Sequence, residues 1–328
     1  MSELHKFLFE GLPVRGMLVR LTDGWQEVLR RREGSDDPYE APVRTLLGEM
    51  AAASVLMQAN IKFNGSLILQ VFGDGPMKVA VAEADHRMGF RTTAKVAGEL
   101  PSTDSGRLPL DELVNVHGQG RCAITLDPQD RLPGQQPYQG VVPLSDDEHK
   151  PFKELSAALE HYMLKSEQLD TRLILAANDE VAAGLLIQRL PLEGEGNLAG
   201  QGVDDEAALN ESYNRIAHLA ASLTREELLT LDAETVLHRL FWEEDILRFP
   251  ALAEGAEAPH FACSCSRERV ASMLQSLGSE ELESILEEQQ KIEVACDFCG
   301  ERYSFDSVDV GELMTEEMAL PPGTSRLQ

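Results

Sequence analysis

Apolar and polar positions alternate in "LHKFLFE" (Leu4 to Glu10) and in "VRGMLVRLT" (Val14 to Thr22), the period of a strand with one face buried. "APVRTLLGEMAAASVLMQAN" (Ala41 to Asn60) breaks that rhythm. Pro42 near its start and an apolar middle on most sides predict a helix buried against a sheet. "KFNGSLILQVFGDGPMKVAVAEAD" predicts two strands around a turn at Gly73–Pro76. "RMGFRTTAKV", "GRCAITLDP", "PYQGVVPL", "TRLILAAN" and "AGLLIQRL" read as further strands, interrupted by a helix from about His149 to Lys165. Strands joined by short turns favour antiparallel pairing, so the expected class is α+β: a mixed N-terminal domain, a helical linker and a small C-terminal domain.

The rhythm fails in "LEGEGNLAGQGVDDEA" (Leu192 to Ala207), rich in Gly and acid, and a domain boundary is expected there. From Asp204 to about Leu247 the pattern is helical. "LTREEL" carries a capping box, with Thr224 as N-cap, Glu227 three residues on, and Leu223 and Leu228 as the staple. A second helix starts near Asp232, with Val236, Leu237, Leu240 and Phe241 on one face. Helices this short depend on docking an apolar face. "FPALAEGAEAPH" (Phe249 to His260) reads as a loose connection, and the tail "LPPGTSRLQ" as disordered.

Charge narrows the functional classes. The chain has 328 residues, 29 Lys+Arg and 56 Asp+Glu, a formal net charge of -27. That balance repels nucleic acid over most of the surface and favours solubility. No run reaches the ~18 apolar residues of a membrane helix. The N-terminus lacks a basic n-region and a cleavage site, so no membrane association and a cytoplasmic location are expected. Resting disulfides are rare there, and paired cysteines then point to metal or redox chemistry.

Four of the five cysteines form two tight pairs, Cys263-Ser-Cys265 and Cys296-Asp-Phe-Cys299. Four thiolates are a common structural zinc set. "KIEVACDFCGERYSFD" reads as strand, tight turn, strand, with Gly300 placed for a left-handed turn that aims N–H groups at the sulfurs. Ser266 and Ser279 are the expected caps of two flanking helices, the first with Val270, Met273, Leu274 and Leu277 on one stripe. Residues 251–310 offer Phe261, Met273, Phe298, Tyr303 and Phe305 as large core candidates beyond aliphatics, too few for a stable domain by burial alone. A structural zinc contributes roughly 10–16 kcal/mol, comparable to the whole stability of a domain. A C-x-C disulfide is awkward, because Cα atoms two apart in extended chain lie about 6–7 Å from each other. The C-x-x-C pair is expected to oxidise first. Zinc thiolates are nucleophiles that strong oxidants attack, and each disulfide removes two ligands, so oxidation, metal loss and unfolding form one coupled event. Cys122, alone in "GRCAITL", reads as a packed strand residue, and His260 as a reserve ligand at most.

Two rival classes are weaker. "GDGPMK" lacks the full phosphate-loop pattern, and no nucleophile–base pair stands out, so no catalytic residue is expected. A thiol-disulfide oxidoreductase would place C-x-x-C in a βαβ setting. A zinc-ribbon nucleic-acid binder conflicts with residues 251–310, whose four Lys+Arg against thirteen Asp+Glu give a net charge of -9.

The chain resembles the bacterial redox-regulated heat-shock holdase family, the 33 kDa chaperonin family. The resemblance runs through "FLFEGLPVRG", "GDGPMKVAV", "YQGVVPL", "YMLKSEQLDTRL" and "TREELLTLDAETVLHRLFWEE" to "CSCSRE" and "CDFCGERYSF". It implies one Zn²⁺ per chain on Cys263, Cys265, Cys296 and Cys299 in a reduced, inactive form. Strong oxidants would then form Cys263–Cys265 and Cys296–Cys299 disulfides, release the metal and unfold the linker. The exposed surface would bind unfolding client proteins without ATP. It implies homodimers when oxidised and transfer of clients to ATP-dependent foldases. The implied domains are 1–195 for substrate binding and dimerisation, 196–250 a metastable linker, 251–311 the zinc redox switch, and 312–328 a disordered tail. Cys122 lies outside the family's four-cysteine set.

Overall fold

The computed structural model describes residues 1–33, 38–103, 106–131, 134–191, 203–255 and 257–318. The fold is α+β and divides into two compact units, Met1–Ala262 and a second that begins at Cys263. The expected boundary at Leu192–Ala207 falls mostly on residues outside the described ones, as do residues 319–328 of the tail expected at 312–328; residues 312–318, expected to be disordered, are helical.

The first unit opens with β1 (Glu3–Phe9), β2 (Val14–Leu21), α1 (Asp23–Glu33) and α2 (Ala41–Asn60). It continues with β3 (Gly65–Phe72), β4 (Met77–Asp85), β5 (Gly89–Val96), α3 (Leu110–Val114), β6 (Arg121–Pro128), β7 (Tyr138–Pro143), α4 (Leu155–Ser166), β8 (Thr171–Ala177) and β9 (Ala182–Arg189). Then come α5 (Val203–Ala221), α6 (Arg225–Thr230), α7 (Ala233–Phe241), β10 (Ile246–Arg248) and β11 (His260–Phe261). One sheet has the order β10-β1-β2-β9-β8 and is antiparallel throughout; the other runs β11-β5-β4-β3-β6-β7, antiparallel except where β11 lies parallel to β5.

Helix α2 packs on strands of both sheets. Fifteen of its 20 residues are buried, which explains an apolar pattern on nearly all sides. The main core gathers Leu46, Leu47, Met50 and Leu56 of α2 with Val19 and Leu186 of one sheet and Leu69, Ala82 and Phe90 of the other. The five-stranded sheet is buried on its second face too. There Phe7, Phe9, Leu18, Leu185 and Ile187 meet Tyr213, Ile216, Leu223, Leu228, Val236, Leu240 and Phe241 of α5–α7. Two-sided burial is why β9 reads as an unbroken apolar run, "AAGLLI".

Helices α6 and α7 begin where their caps dictate. Thr224 and Glu227 form the complete capping box, and the Asp232 carboxylate accepts from the Thr235 N–H at 2.8 Å. Such caps contribute about 1 kcal/mol each. Sequence periodicity passed over α1 and α3. Two boundaries also differ. The helix expected from His149 begins only at Leu155, since His149 has φ +62° and Pro151 has no N–H. The helical pattern stops short of Ile246–Arg248, which joins β1 as an edge strand. The connection after it is tied down: Leu4 and Leu252 exchange backbone hydrogen bonds of 3.2 and 2.9 Å.

The second unit contains α8 (Arg267–Gln275), α9 (Ser279–Gln289), β12 (Ile292–Ala295), β13 (Arg302–Phe305) and α10 (Ser307–Met318). Its buried core is Leu274, Leu282, Ile292, Phe305 and Val310. Three expected core members lie outside it: Phe261 packs in the first unit, Phe298 is partly buried without joining this core, and Met273 is 45% exposed. Leu277 is exposed as well. Ser266 caps α8 as expected, but Gly278, not Ser279, stands at the N-cap of α9. Arg267 braces the unit. Its guanidinium lies 4.2 Å from the centre of the Phe305 ring, pairs with Asp309 at 2.8 Å and donates to the Ser304 carbonyl at 2.7 Å.

Candidate metal centre

The second cysteine pair is built by a hairpin. Ile292 pairs with Phe305 and Ala295 with Arg302, so the strands stop one residue before Cys296. The Cys296 N–H donates to the Glu301 carbonyl at 2.9 Å and the Gly300 N–H to the Cys296 carbonyl at 2.8 Å, closing a tight turn. Gly300 has φ +72°, a conformation that side chains with a Cβ adopt at a cost. The turn directs the N–H groups of Phe298 and Cys299 at the Cys296 sulfur, and that of Glu301 at the Cys299 sulfur. The first pair sits just ahead of α8. The Ser266 side chain accepts from the Arg269 N–H at 3.3 Å, and the Arg269 guanidinium reaches Ser264 Oγ at 2.7 Å, fixing the chain between the two thiols.

These turns bring all four Sγ atoms of Cys263, Cys265, Cys296 and Cys299 within 4.8 Å of one another. The shortest approaches cross between the pairs: Cys263 to Cys296 at 3.7 Å and Cys265 to Cys299 at 3.3 Å. Four sulfurs about 2.3 Å from a tetrahedral zinc would stand about 3.8 Å apart, so spacing and donor type both fit that ion. The electrostatics agree. Burial, with the thiols of Cys265 and Cys263, pushes the Cys299 thiol up to about 11. The hydrogen bond with Cys263, and then burial, raise that of Cys296. Crowded sulfurs resist becoming anions together, and a bound dication removes that resistance by neutralising them. The phenol of Tyr303 donates to Cys265 Sγ at 3.2 Å, and its own acidity is weakened by that contact. Sequence reasoning treated Tyr303 as core. Its place on β13, four residues after Cys299, was the available signal for a contact to the sulfurs.

A family model described as "Hsp33 protein" matches residues 2–306. The chain belongs to the Hsp33 family. It is 45% identical over 312 residues to the 33 kDa chaperonin of Chromobacterium violaceum, covering 95% of this chain and 93% of that protein. It is 41% identical over 322 residues to that of Methylobacillus flagellatus, covering 98% and 97%. The crystal structure of the 33 kDa chaperonin (heat shock protein 33 homolog) from Thermotoga maritima matches in fold with a TM-score of 0.74 at 22% identity, covering 97% of this chain and 99% of that one. Family membership makes a chaperone, with unfolded proteins as its clients, the coarse function.

The other sequence candidates of this Hsp33-family chain fall elsewhere. Cys122 is fully buried in β6, and burial pushes its thiol up to about 12. His260 belongs to the first unit, and its Nδ1 lies 2.8 Å from the Ala258 carbonyl. "GDGPMK" turns between β3 and β4: Lys78 Nζ donates to the Gly75 carbonyl, and the Asp74 carboxylate accepts from the N–H groups of His117 and Gln119. No helix among the described residues is long and apolar enough to cross a membrane.

Sequence reasoning missed how α6 is pinned. Arg225, its first residue, donates to the buried Glu49 of α2 at 2.7 Å and to the Ala177 carbonyl of β8. Arg20 of β2 donates to the Leu228 and Leu229 carbonyls near its other end. Burial raises the pKa of Glu49, against the pull of Arg107 and Arg225. Neither partner could be found by spacing, since 176 residues separate Arg225 from Glu49.

Proposed function

We propose that this chain is a redox-regulated holdase that works without ATP and without catalysis. Cys263, Cys265, Cys296 and Cys299 hold one Zn²⁺ in the reduced, inactive form. The metal supplies the cross-link that the small core of the second unit lacks. Strong oxidants convert the thiolates to Cys263–Cys265 and Cys296–Cys299 disulfides, two electrons leaving each pair for the oxidant, and Zn²⁺ is released. The second unit then unfolds, and order is lost upstream along the chain into 196–250. Domains follow this division of labour: 1–195 binds clients and dimerises when oxidised, 196–250 is the metastable linker, and 251–311 is the switch. Clients pass to ATP-dependent foldases on reduction. The setting is the cytoplasm, with neither nucleic acid nor membrane as partner.

One observation carries this reading: α5–α7 cover an apolar sheet face, from Phe7 and Phe9 to Leu185 and Ile187, that is ready-made client surface once they leave. Each large side chain so uncovered loses about 1.5–3 kcal/mol of burial, which a client's apolar segments can restore. The test is suppression of aggregation of a thermally unfolding enzyme by reduced and hypochlorite-treated protein, with released zinc followed by a chromogenic chelator. Suppression by the oxidised form alone, with about one zinc per chain released, is expected. Equal suppression by both forms, or zinc retained after full thiol oxidation, overturns the reading.

A further inference from the structure

The edge of β5 carries a short strand that does not belong to the sheet's own sequence of hairpins. Residues 260–262 lie along it, with His260 opposite Gly89 and Phe261 opposite Phe90, in the one parallel pairing among the described strands. The His260 N–H donates to the Met88 carbonyl at 3.1 Å and the Ala262 N–H to the Phe90 carbonyl at 3.0 Å.

The groove is shaped for bare backbone. A Cβ at Gly24 of α1 would come within 2.9 Å of the Phe90 ring and 3.0 Å of the Phe261 nitrogen. One at Gly89 would come within 2.8 Å of the Ala262 Cβ and of an Asp85 carboxylate oxygen. The two glycines thus let a strand sit closely on the sheet edge. Above it the Arg31 guanidinium lies 4.9 Å from the centre of the Phe261 ring, and the ring's other contacts are with the main core. The groove opens into a cleft of about 670 Å³ that Met1, Asp23, Glu27 and Ala253 help to line. Cys263 is the next residue in the chain.

We propose that this groove is a second client site, a receptor for an extended segment bearing an aromatic side chain, which residues 260–262 occupy as an internal stand-in. The seated segment defines what the site accepts. Main-chain bonds to the Met88 and Phe90 carbonyls read extended backbone of any sequence, and the space under Arg31 reads one aromatic ring. Unfolding proteins present such segments. The edge of β5 is available only when residues 260–262 leave it, and the position of Cys263 makes that departure a consequence of losing order in the second unit. The inference therefore rests on the proposed redox function, but it concerns a surface separate from the sheet face beneath α5–α7.

The test uses a fluorescent peptide of the sequence EAPHFASSS, the chain's own residues 257–265 with serine replacing both cysteines, and full-length protein. Reduced, zinc-loaded protein is expected to leave the peptide free, and oxidised protein to bind it. Arg31→Ala, a surface change, and Gly24→Ala, which narrows the groove while suiting a helix, are each expected to weaken peptide binding about tenfold or more. Zinc release and amide exchange of 203–241 in both variants should match the parent. Phe261→Ser, with all four cysteines intact, is expected to bind the peptide in the reduced state with zinc retained. If the oxidised parent releases zinc and holds clients yet does not bind the peptide, or if Arg31→Ala and Gly24→Ala bind it as the parent does, this inference fails while the redox reading stands. Failure of the parent to release zinc or hold clients tells against the redox reading instead, and Phe261→Ser then decides the groove by itself.

Discussion

The two units hide apolar surface by different means. In the first, α2 is enclosed by two sheets, and a core that reaches from Leu4 to Leu186 in sequence needs nothing but its own side chains. In the second, five buried residues share the work with four sulfurs. A core of that size is marginal, and under the proposed function a bound metal decides whether the unit is folded. The layer α5–α7 belongs to the first unit by contact: its apolar face packs on the sheet, two local caps start α6 and α7, and Arg20 and Arg225 pin α6 to distant parts of the chain. The lesson is that the proposed switch sits where the apolar core is smallest, beside a four-sulfur cluster.

Stripping the metal should break the comparison most sharply. A strong chelator at neutral pH, under reducing conditions, is expected to abolish amide protection across 263–318 while β3 and β4 keep theirs, a loss on the order of 10 kcal/mol confined to one unit. Protection retained in the second unit would mean that its apolar core suffices.

Arg225→Ala should loosen the α5–α7 layer without touching the cysteines. It leaves the carboxylate of Glu49 buried with only Arg107 nearby, at 3.9 Å, and the expected cost is about 3 kcal/mol. Exchange across 224–241 should accelerate at unchanged zinc content. Conversely, exchange as slow as in the parent would show that α6 is held by its apolar face alone.

Acid should act on the same layer more gently. The backbone and hydroxyl groups of Thr224 hold the Glu227 carboxyl below its usual range, and those of Thr235 do so for Asp232. Depressed folded-state values mean that the caps contribute fully above the unfolded values near 4, and that this contribution is lost as pH falls through the lower folded ones. Exchange in α6 and α7 should therefore rise below about pH 4 relative to β3 and β4, and Glu227→Gln should flatten that dependence. An identical pH profile in the variant would remove the cap from the account.

The smallest effect separates sulfur from sulfur. Cys122, protonated and fully buried, should resist alkylation in metal-free protein in which the other four thiols react within minutes. Labelling of Cys122 at a comparable rate would show that the first unit opens together with the second.

Much of this was legible in the chain. The ends of α2 stand where the periodicity of Ala41–Asn60 placed them, because an enclosed helix needs an apolar pattern on all sides and few other structures tolerate one. The caps at Thr224 and Ser266, and a helix start near Asp232, could be read because capping is local, within three residues. The grouping of four cysteines into two pairs was also local, and a hairpin at Cys296–Cys299 follows from the alternating strands around it. By contrast, α1 carries only Gly24, Trp25, Val28 and Leu29 as buried positions, too few to outweigh its run of charged residues. Nor did "APH" announce a strand: His260 and Phe261 become one only because β5 offers an edge and Gly24 leaves room.

The sequence by itself determined the α+β class, the caps at Thr224 and Ser266 and the pairing of the four thiols, since each depends on residue type and on neighbours a few positions away. Only the tertiary structure decided that one sheet is covered on both faces, that Glu49 meets Arg225, that Tyr303 touches a sulfur, and that residues 260–262 fill a groove. Those are meetings of surfaces far apart in the chain, fixed by packing and by which edges and faces remain open, and no local pattern encodes them.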